Sequence, residues 1–328
     1  MTLAGAMTAI VTPMQGGSVD EGGLRRLVRY QLSAQIAGLV VNGSTGEAAT
    51  LTDDEQEYVL RMVVEQVLGR VPVIAGVGSR STHGALAQAE RAKRVGADAL
   101  LVVTPAYNKP TQLGLEMHFT AVAENCDLPI VLYNVPGRTA VDLLPATVAK
   151  LAEHPRIVGI KEATGSLDRA AAIRAVVPAD FALLSGDDFT TFDFVAQGGH
   201  GCISVASNIL PRDIVALVKG AGLDQTSDGF AKARTTAAEL RPIFDALFCE
   251  SNPIPVKTAA QWLGIIPSGE LRLPLTPLSD AGADQLEAAL RALELEPRRS
   301  PGDPSRLGPG NPLSGEDAEA KTVDFSQY

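Results

Sequence analysis

The strongest constraint on the fold is an alternation of eight short apolar runs with longer segments of helical periodicity. The runs are rich in valine and isoleucine and are apolar at successive positions, which is typical of parallel strands covered on both faces. They lie at residues 8–13, 38–43, 71–77, 98–104, 129–135, 157–163, 181–186 and 201–206. Eight strand–helix units predict a closed (β/α)8 TIM barrel of the α/β class, and a doubly wound open sheet is the alternative.

Periodicity and capping residues predict helices between these strands. Residues 20–37 carry a single apolar stripe, formed by Leu24, Leu27, Val28 and Leu32. Thr52, followed three residues later by Glu55, has the pattern of a capping box and predicts a helix over 52–69. Gly96 is placed to end the helix before the fourth strand.

The chain is predicted to have three parts. Residues 1–220 form the barrel, and 221–296 form an appended C-terminal helical region. The helical pattern of that region is too long for one crossover, with segments at 227–249, 253–264 and 279–294. From Pro297 the sequence is rich in proline and glycine and has almost no apolar periodicity, so 297–328 is predicted to be a disordered tail.

Composition excludes several classes of function. A net charge of −10 argues against nucleic acid or an anionic membrane as a partner, because both attract clustered Lys and Arg. No apolar run reaches the ~18 residues of a spanning helix. The cysteines are odd in number and offer no disulfide framework, and the histidines lack the spacing of metal ligands. These features favour a soluble, cytoplasmic protein without a metal site.

Lys161 is the most informative polar residue because it lies inside a predicted strand. Alternation gives that strand two faces, which are Ile157, Gly159 and Lys161 on one side, and Val158 and Ile160 on the other. The outer face of a barrel strand packs on helices and should be apolar, so Lys161 is assigned to the interior. Loss of hydration there favours the neutral, nucleophilic amine. A salt bridge to Glu162 at the strand end is the structural alternative.

Other polar residues follow other strands, at the edge where barrel enzymes carry their active sites. Ser44 and Thr45 lie between two glycines, which indicates a tight turn whose N–H groups and hydroxyls hold a carboxylate. Tyr133 is a candidate for proton transfer, with simple packing as the alternative. Arg138 is a candidate for bidentate carboxylate binding, or else a solvated loop charge. Gly186, at the end of strand seven, is a candidate substrate-binding position. Together with Lys161, these groups fit Schiff-base chemistry on a small 2-keto acid.

From about residue 5 to 294 the chain resembles the dihydrodipicolinate synthase / N-acetylneuraminate lyase family of class I aldolases. The motifs that carry the resemblance are GSTGEAATL, TPAYNKPTQLGL, YNVPGRTAVDL, GIKEATG, SGDD, GGHGCISVASN, NPIPVKTAAQWLG and LRLPLTPLS. GRT and NPIPVK are similar to the synthase branch. The resemblance implies condensation of pyruvate with L-aspartate 4-semialdehyde, in lysine and diaminopimelate biosynthesis. It also implies a homotetramer with neither metal nor organic cofactor.

The resemblance assigns roles to individual residues. Lys161 would form the Schiff base with pyruvate, and Thr45 with the neighbouring amides would hold the pyruvate carboxylate. Tyr133 would be the acid/base residue, assisted by Ser44 and by Tyr107 from a neighbouring subunit. The remaining substrate contacts implied are Arg138 with the carboxylate of aspartate semialdehyde, and Ile203 with the pyruvate site through its backbone carbonyl.

The chain departs from the synthase pattern at several positions. Ser44 stands where threonine is usual, and Ala106 stands where many synthases have an aromatic residue. The positions that resemble the lysine-feedback site of bacterial synthases lack its usual His, Asn and Glu, and read Ala48, Asp53, Gln56, Arg80 and Gly84. We therefore expect weak or absent inhibition by lysine.

Two other functions stay open. One is an aldolase or lyase that acts on a different 2-keto acid, of the sugar-acid, N-acetylneuraminate or 4-hydroxy-2-oxoglutarate type. The other is a non-catalytic paralogue that only binds a keto acid.

Overall fold

The computed structural model of the protein describes residues 3–298. Eight parallel strands close into a barrel in the order of the sequence, with β1 hydrogen-bonded to both β2 and β8. The strands are β1 Gly5–Ala9, β2 Gly38–Val41, β3 Val73–Val77, β4 Ala99–Val103, β5 Ile130–Asn134, β6 Ile157–Glu162, β7 Ala182–Ser185 and β8 Gly201–Ser204. The predicted (β/α)8 barrel is confirmed.

A helix follows each strand and packs on the outside of the barrel. These helices are α1 Glu21–Ser33, α2 Asp53–Val67, α3 Thr82–Val95, α4 Gln112–Asn125, α5 Pro145–Leu151, α6 Leu167–Arg174, α7 Thr191–Ala196 and α8 Pro211–Ala221. The capping box of Thr52 and Glu55 is present at the start of α2. Gly96 ends α3 in the left-handed conformation, at φ 97°. Both predicted helix boundaries are therefore confirmed.

Strand β1 lies earlier in the chain than the apolar run at 8–13 predicts. Ile10 N still donates to Val40 O at 3.0 Å, but the chain then leaves the sheet. Val11 N donates to the side chain of Asn208 at 3.1 Å, and Thr12 Oγ1 donates to Gly46 O at 2.7 Å. The run stays apolar because the loops above the barrel bury it, and side chains satisfy its polar groups in place of a neighbouring strand.

Strand β6 contains an irregularity that the simple alternation missed. Ile130 of β5 pairs with Ile157, but the next residue, Val131, pairs with Gly159, so the register shifts by one residue. Ile157 consequently packs with the outer core, and Val158 packs against the inner core. The predicted faces were wrong at these two positions. Beyond the bulge the alternation holds, and Lys161 faces inward as predicted.

Two layers of apolar side chains hold the barrel together. A small inner cluster fills the barrel, with Met7, Val40, Ile74, Leu101, Val131, Leu184 and Ile203 among its members. A larger cluster lies between the strands and the helices. The C-terminal helices α9 Asp228–Ala246, α10 Ile254–Trp262 and α11 Asp280–Ala292 share this outer core, since Leu240 and Phe244 of α9 belong to the same cluster as Ile214 of α8.

The predicted boundaries of barrel and helical region, 1–220 and 221–296, stay a prediction, and residues 299–328 of the predicted disordered tail lie outside the described residues. None of the helices within residues 3–298 combines the length and apolar character needed to cross a membrane.

Candidate active site

A cavity lies at the carboxyl ends of the barrel strands. Strand ends, the loops that follow them and the segment after α9 all contribute to its wall. The wall includes Ser44, Thr45, Tyr133, Arg138, Lys161, Gly186, Asp187, Phe248 and Asn252. Six of the sequence-predicted site residues therefore meet in one cavity.

Lys161 and Tyr133 form one wall of this cavity. The two residues are direct partners in the register of β5 and β6, so their side chains leave neighbouring strands on the same face. Lys161 is only 5% exposed, and its Nζ lies 4.5 Å from the centroid of the Tyr133 ring. Glu162 accepts hydrogen bonds from Thr164 N at 2.8 Å and Asn134 Nδ2 at 3.1 Å, and burial raises the pKa of this carboxyl. The alternative salt bridge between Lys161 and Glu162 is absent from the described residues.

The loop of residues 43–47 forms a second wall. Gly46 N and Ala48 N both donate to Gly43 O, at 3.1 and 3.4 Å, which folds the loop into a tight turn. No described residue accepts a hydrogen bond from the amides of Ser44 or Thr45. Two free N–H groups in successive positions can form a concave site for an anion, and the predicted binding of a carboxylate by this loop stays a prediction.

Asn252 joins this loop to the C-terminal region. Its Nδ2 donates to Thr45 Oγ1 at 3.0 Å, and its backbone oxygen accepts a hydrogen bond from Arg138 Nη2, also at 3.0 Å. Because Thr45 Oγ1 accepts from Asn252, the Thr45 hydroxyl is left to donate its own hydrogen to a bound carboxylate. Arg138 lies at the end of a single helical turn, Pro136–Thr139, and is exposed at the mouth of the cavity.

A pair of acids follows β7 at the floor of the cavity. Burial raises the pKa of Asp187 to about 6, the charge of Asp188 adds to this shift, and the charge of Lys161 opposes it. Asp187 Oδ2 is buried without a hydrogen-bond partner among the described residues. Both oxygens of Asp188 have partners, because Oδ2 accepts from the amides of Val205 at 3.0 Å and Ala206 at 2.9 Å, and Oδ1 accepts from Ser204 Oγ. Asp188 is therefore a structural anchor, whereas Asp187 is available to the cavity.

The remaining predicted residues lie at different depths. Gly186 lines the cavity, and a Cβ there would overlap the side chain of Ala163, so a larger residue does not fit. Ser44 is exposed at the cavity wall, and its hydroxyl has no partner within the described part of the chain. Tyr107 is 86% exposed and adopts a left-handed φ of 76°. Ile203 is fully buried in the inner core, and Val205 contributes to the cavity wall in its place.

The site prediction missed several residues of the cavity wall, among them Asp187, Val205, Phe248 and Asn252. Phe248 and Asn252 come from the segment between α9 and α10, where the sequence offers no strand end to mark a site. The NPIPVK motif that contains Asn252 was the available signal. Within residues 3–298, no cluster of three or more His, Cys, Asp or Glu side chains is arranged to hold a metal ion.

Known proteins resemble this chain in sequence and in overall structure. A protein named 4-hydroxy-tetrahydrodipicolinate synthase from Pelobacter propionicus is 49% identical over 292 residues, covering 89% of this chain and 99% of that protein. The dihydrodipicolinate synthase of Aquifex aeolicus has a similar structure, with a TM-score of 0.86 at 41% identity, over 90% of this chain and 99% of that one.

A further solved structure, of the enzyme from Acinetobacter baumannii in complex with pyruvate, gives a TM-score of 0.85 at 42% identity, over 90% of this chain and all of that one (100%). The profile of the Dihydrodipicolinate synthetase family matches residues 2–293. A family match over most of the chain, together with relatives of similar length, leaves one conclusion. The chain belongs to the dihydrodipicolinate synthetase family.

Proposed function

We propose that the protein condenses pyruvate with L-aspartate 4-semialdehyde to give 4-hydroxy-tetrahydrodipicolinate, through a Schiff base on Lys161. The observation that carries this proposal is the buried amine of Lys161 in a cavity that also contains the two free amides of Ser44 and Thr45. An amine reacts with a ketone, and a pair of amides binds a carboxylate. A 2-keto acid is the small molecule that carries both groups.

The first half of the reaction activates pyruvate. Lys161 Nζ attacks the keto carbon, and the resulting carbinolamine loses its oxygen as water to give an iminium ion. Meanwhile the amides of the loop and the hydroxyl of Thr45 hold the pyruvate carboxylate. Removal of a proton from the methyl group then gives an enamine, whose terminal carbon is the nucleophile of the second half.

The second half forms the new carbon–carbon bond. The enamine carbon attacks the aldehyde carbon of aspartate semialdehyde, and the aldehyde oxygen takes up a proton. The amine of the bound substrate then adds to the iminium carbon and displaces Lys161, which closes the ring and frees the enzyme. Arg138, exposed at the mouth and anchored to Asn252 O, is placed to hold the carboxylate of the semialdehyde.

Tyr133 is the acid/base residue in this proposal. Its ring lies beside Lys161 Nζ, so the phenol is placed close to the carbon and oxygen atoms that exchange protons. Ser44 carries the relay outward, since a serine hydroxyl both donates and accepts. Tyr107 is too exposed in one subunit to close the relay, and we propose that a neighbouring subunit of a cytoplasmic homotetramer supplies it. Gly186 completes the substrate site through its backbone groups.

The test combines trapping with turnover. The protein is incubated with pyruvate and borohydride, the adduct is located by peptide mass spectrometry, and consumption of aspartate semialdehyde is followed in parallel. A reduced pyruvyl adduct on Lys161 with rapid turnover is expected. An adduct without turnover would contradict the assigned aldehyde and favour cleavage of another 2-keto acid, and absence of an adduct would contradict the Schiff-base mechanism.

A further inference from the structure

A buried ion pair connects the carboxylate-binding loop to helix α10. Lys257 Nζ lies 2.5 Å from Glu47 Oε1, and both side chains are 0% exposed. The two residues are 210 positions apart in the sequence. Burial lowers the pKa of Lys257, and the charge of Glu47 together with their hydrogen bond opposes this shift. The pair is not part of the cavity wall, and the mechanism above does not use it.

A buried ion pair is by itself a poor source of protein stability. Removal of two charges from water costs free energy, and the attraction between the charges often does not offset this cost. Apolar residues of similar size commonly stabilise a protein core at least as well as a buried ion pair does. One carboxylate oxygen, Glu47 Oε2, is buried without a partner among the described residues, which adds to this cost. The pair is therefore better explained by the groups that it holds in position than by a gain in stability.

The pair holds the strained end of the loop. Glu47 adopts a left-handed φ of 58°, a conformation that is unfavourable for a residue with a long side chain. Its amide donates to Ser44 O at 3.2 Å, and its carbonyl accepts from Thr50 N at 2.9 Å. The position of Glu47 thus sets the direction of the turn that presents the free amides of Ser44 and Thr45.

The same C-terminal segment contacts the loop at a second point. Asn252 donates to Thr45 Oγ1 at 3.0 Å and lies only five residues before Lys257. The loop is therefore fastened at two of its residues, Thr45 and Glu47, by one short stretch of chain. The barrel also holds the loop, because Thr12 Oγ1 donates to Gly46 O at 2.7 Å, and the two C-terminal contacts fix the residues on either side of this point.

We propose that Lys257 and Glu47 are positioning residues, which fix the loop of residues 43–47 so that the Ser44 and Thr45 amides converge on the keto-acid carboxylate. This inference rests on the proposed function, because it assumes that the loop binds the carboxylate. Neither residue touches the substrate. Their effect on the reaction is transmitted through the backbone of the loop.

The experiment uses Lys257→Met, Glu47→Gln and the double variant, with thermal unfolding measured for each. The pyruvate concentration that gives half-maximal borohydride trapping reports binding by the loop, and the KM for aspartate semialdehyde reports the rest of the site. Lys257→Met is expected to raise the half-maximal pyruvate concentration by about 10- to 100-fold, in line with the effect of small displacements of binding groups, and to change the semialdehyde KM by less than about threefold.

The double variant separates positioning from stability. It leaves no unpaired buried charge, so its thermal stability is expected to recover toward that of the wild type. Its pyruvate binding is expected to stay weak, because the link that orients Glu47 is still broken. If pyruvate binding recovers together with stability, the pair is only structural and the proposal is overturned. Should Lys257→Met fail to fold, the double variant carries the test alone.

Arg174→Met is the matched control. Arg174 donates to Phe181 O at 3.2 Å and to Val177 O at 3.1 Å, just before β7 begins, whereas the cavity lies at the carboxyl ends of the strands. This variant is expected to lose stability and to keep wild-type pyruvate binding. Wild-type binding in both Lys257→Met and the double variant would overturn the proposal, whereas a wild type that traps no pyruvate would instead refute the proposed function.

Discussion

In the proposed mechanism the guanidinium of Arg138 binds the carboxylate of the second substrate, and replacement of Arg138 by alanine tests this role. One of its nitrogens, Nη2, is engaged by Asn252 O at 3.0 Å, which orients the side chain and leaves its other N–H groups for a substrate carboxylate. Two charge-assisted hydrogen bonds at the weaker end of their range, for a side chain open to solvent, contribute about 3 kcal/mol together. Arg138→Ala is therefore expected to lower kcat/KM for aspartate semialdehyde about 100-fold.

The assay measures kcat/KM for the semialdehyde at saturating pyruvate, and separately the pyruvate dependence of borohydride trapping. Trapping is expected to change by less than about threefold, because Arg138 contacts Asn252 through its backbone oxygen, and the Asn252 side chain keeps its hydrogen bond to Thr45. Arg241→Ala is the control, since this arginine lies 5.6 Å from the Phe189 ring and pairs with Asp245 without lining the cavity. Equal losses in trapping and turnover, or a loss no larger than that of the control, would refute the assigned role.

Two further predictions concern pH and regulation. Burial raises the pKa of Asp187 from 3.8 to about 6, so between these two pH values the folded state keeps a proton that the unfolded state has released. The stability that this proton provides is present near pH 4 and is lost as pH rises through 6. Asp187→Asn should remove up to about 3 kcal/mol of that dependence, and parallel unfolding curves of the two proteins between pH 4 and 7 would contradict it. Sub-millimolar lysine should inhibit weakly or not at all, because Gln56 Nε2 already donates to Ala48 O at 2.9 Å and Asp53 pairs with Arg91 at 2.8 Å. Half-inhibition in a steady-state assay at such concentrations would refute this expectation.

Local sequence signals predicted the parts of the structure that depend on near neighbours. The capping box at Thr52 and the glycine at position 96 act within one helical turn, and both ends formed as expected. The predicted position of strand β1 was too late in the chain because apolar character indicates burial and does not indicate which group pairs with the backbone. Val11 looks like a strand residue, but its amide is satisfied by the side chain of Asn208, which follows the neighbouring strand β8.

The residues of the candidate site likewise divide into those that a local sequence signal marks and those that only long-range contacts place. Lys161 and Tyr133 were found because a polar residue inside an apolar strand stands out, and the strand register then brings them together. The bulge at Ile157 and Val158 leaves no comparable mark, since both residues are apolar and either fits the inner or the outer core. Asn252 contacts Thr45 across 207 positions, and no local pattern specifies a contact of that separation.

These long-range contacts show why the C-terminal helices belong to the site itself. The barrel supplies the reactive groups, because strand ends place Lys161 and Tyr133 side by side. The barrel fixes the proposed carboxylate-binding loop only in part, through Thr12 at Gly46 O, and the contacts of the loop with Asn252 and Lys257 both come from beyond α9. Without that region Glu47 would be a buried acid with no counter-ion, and Arg138 would lose the carbonyl that orients it. The chemistry of the barrel and the binding of its substrates therefore depend on different segments of the chain, which meet only in the folded protein.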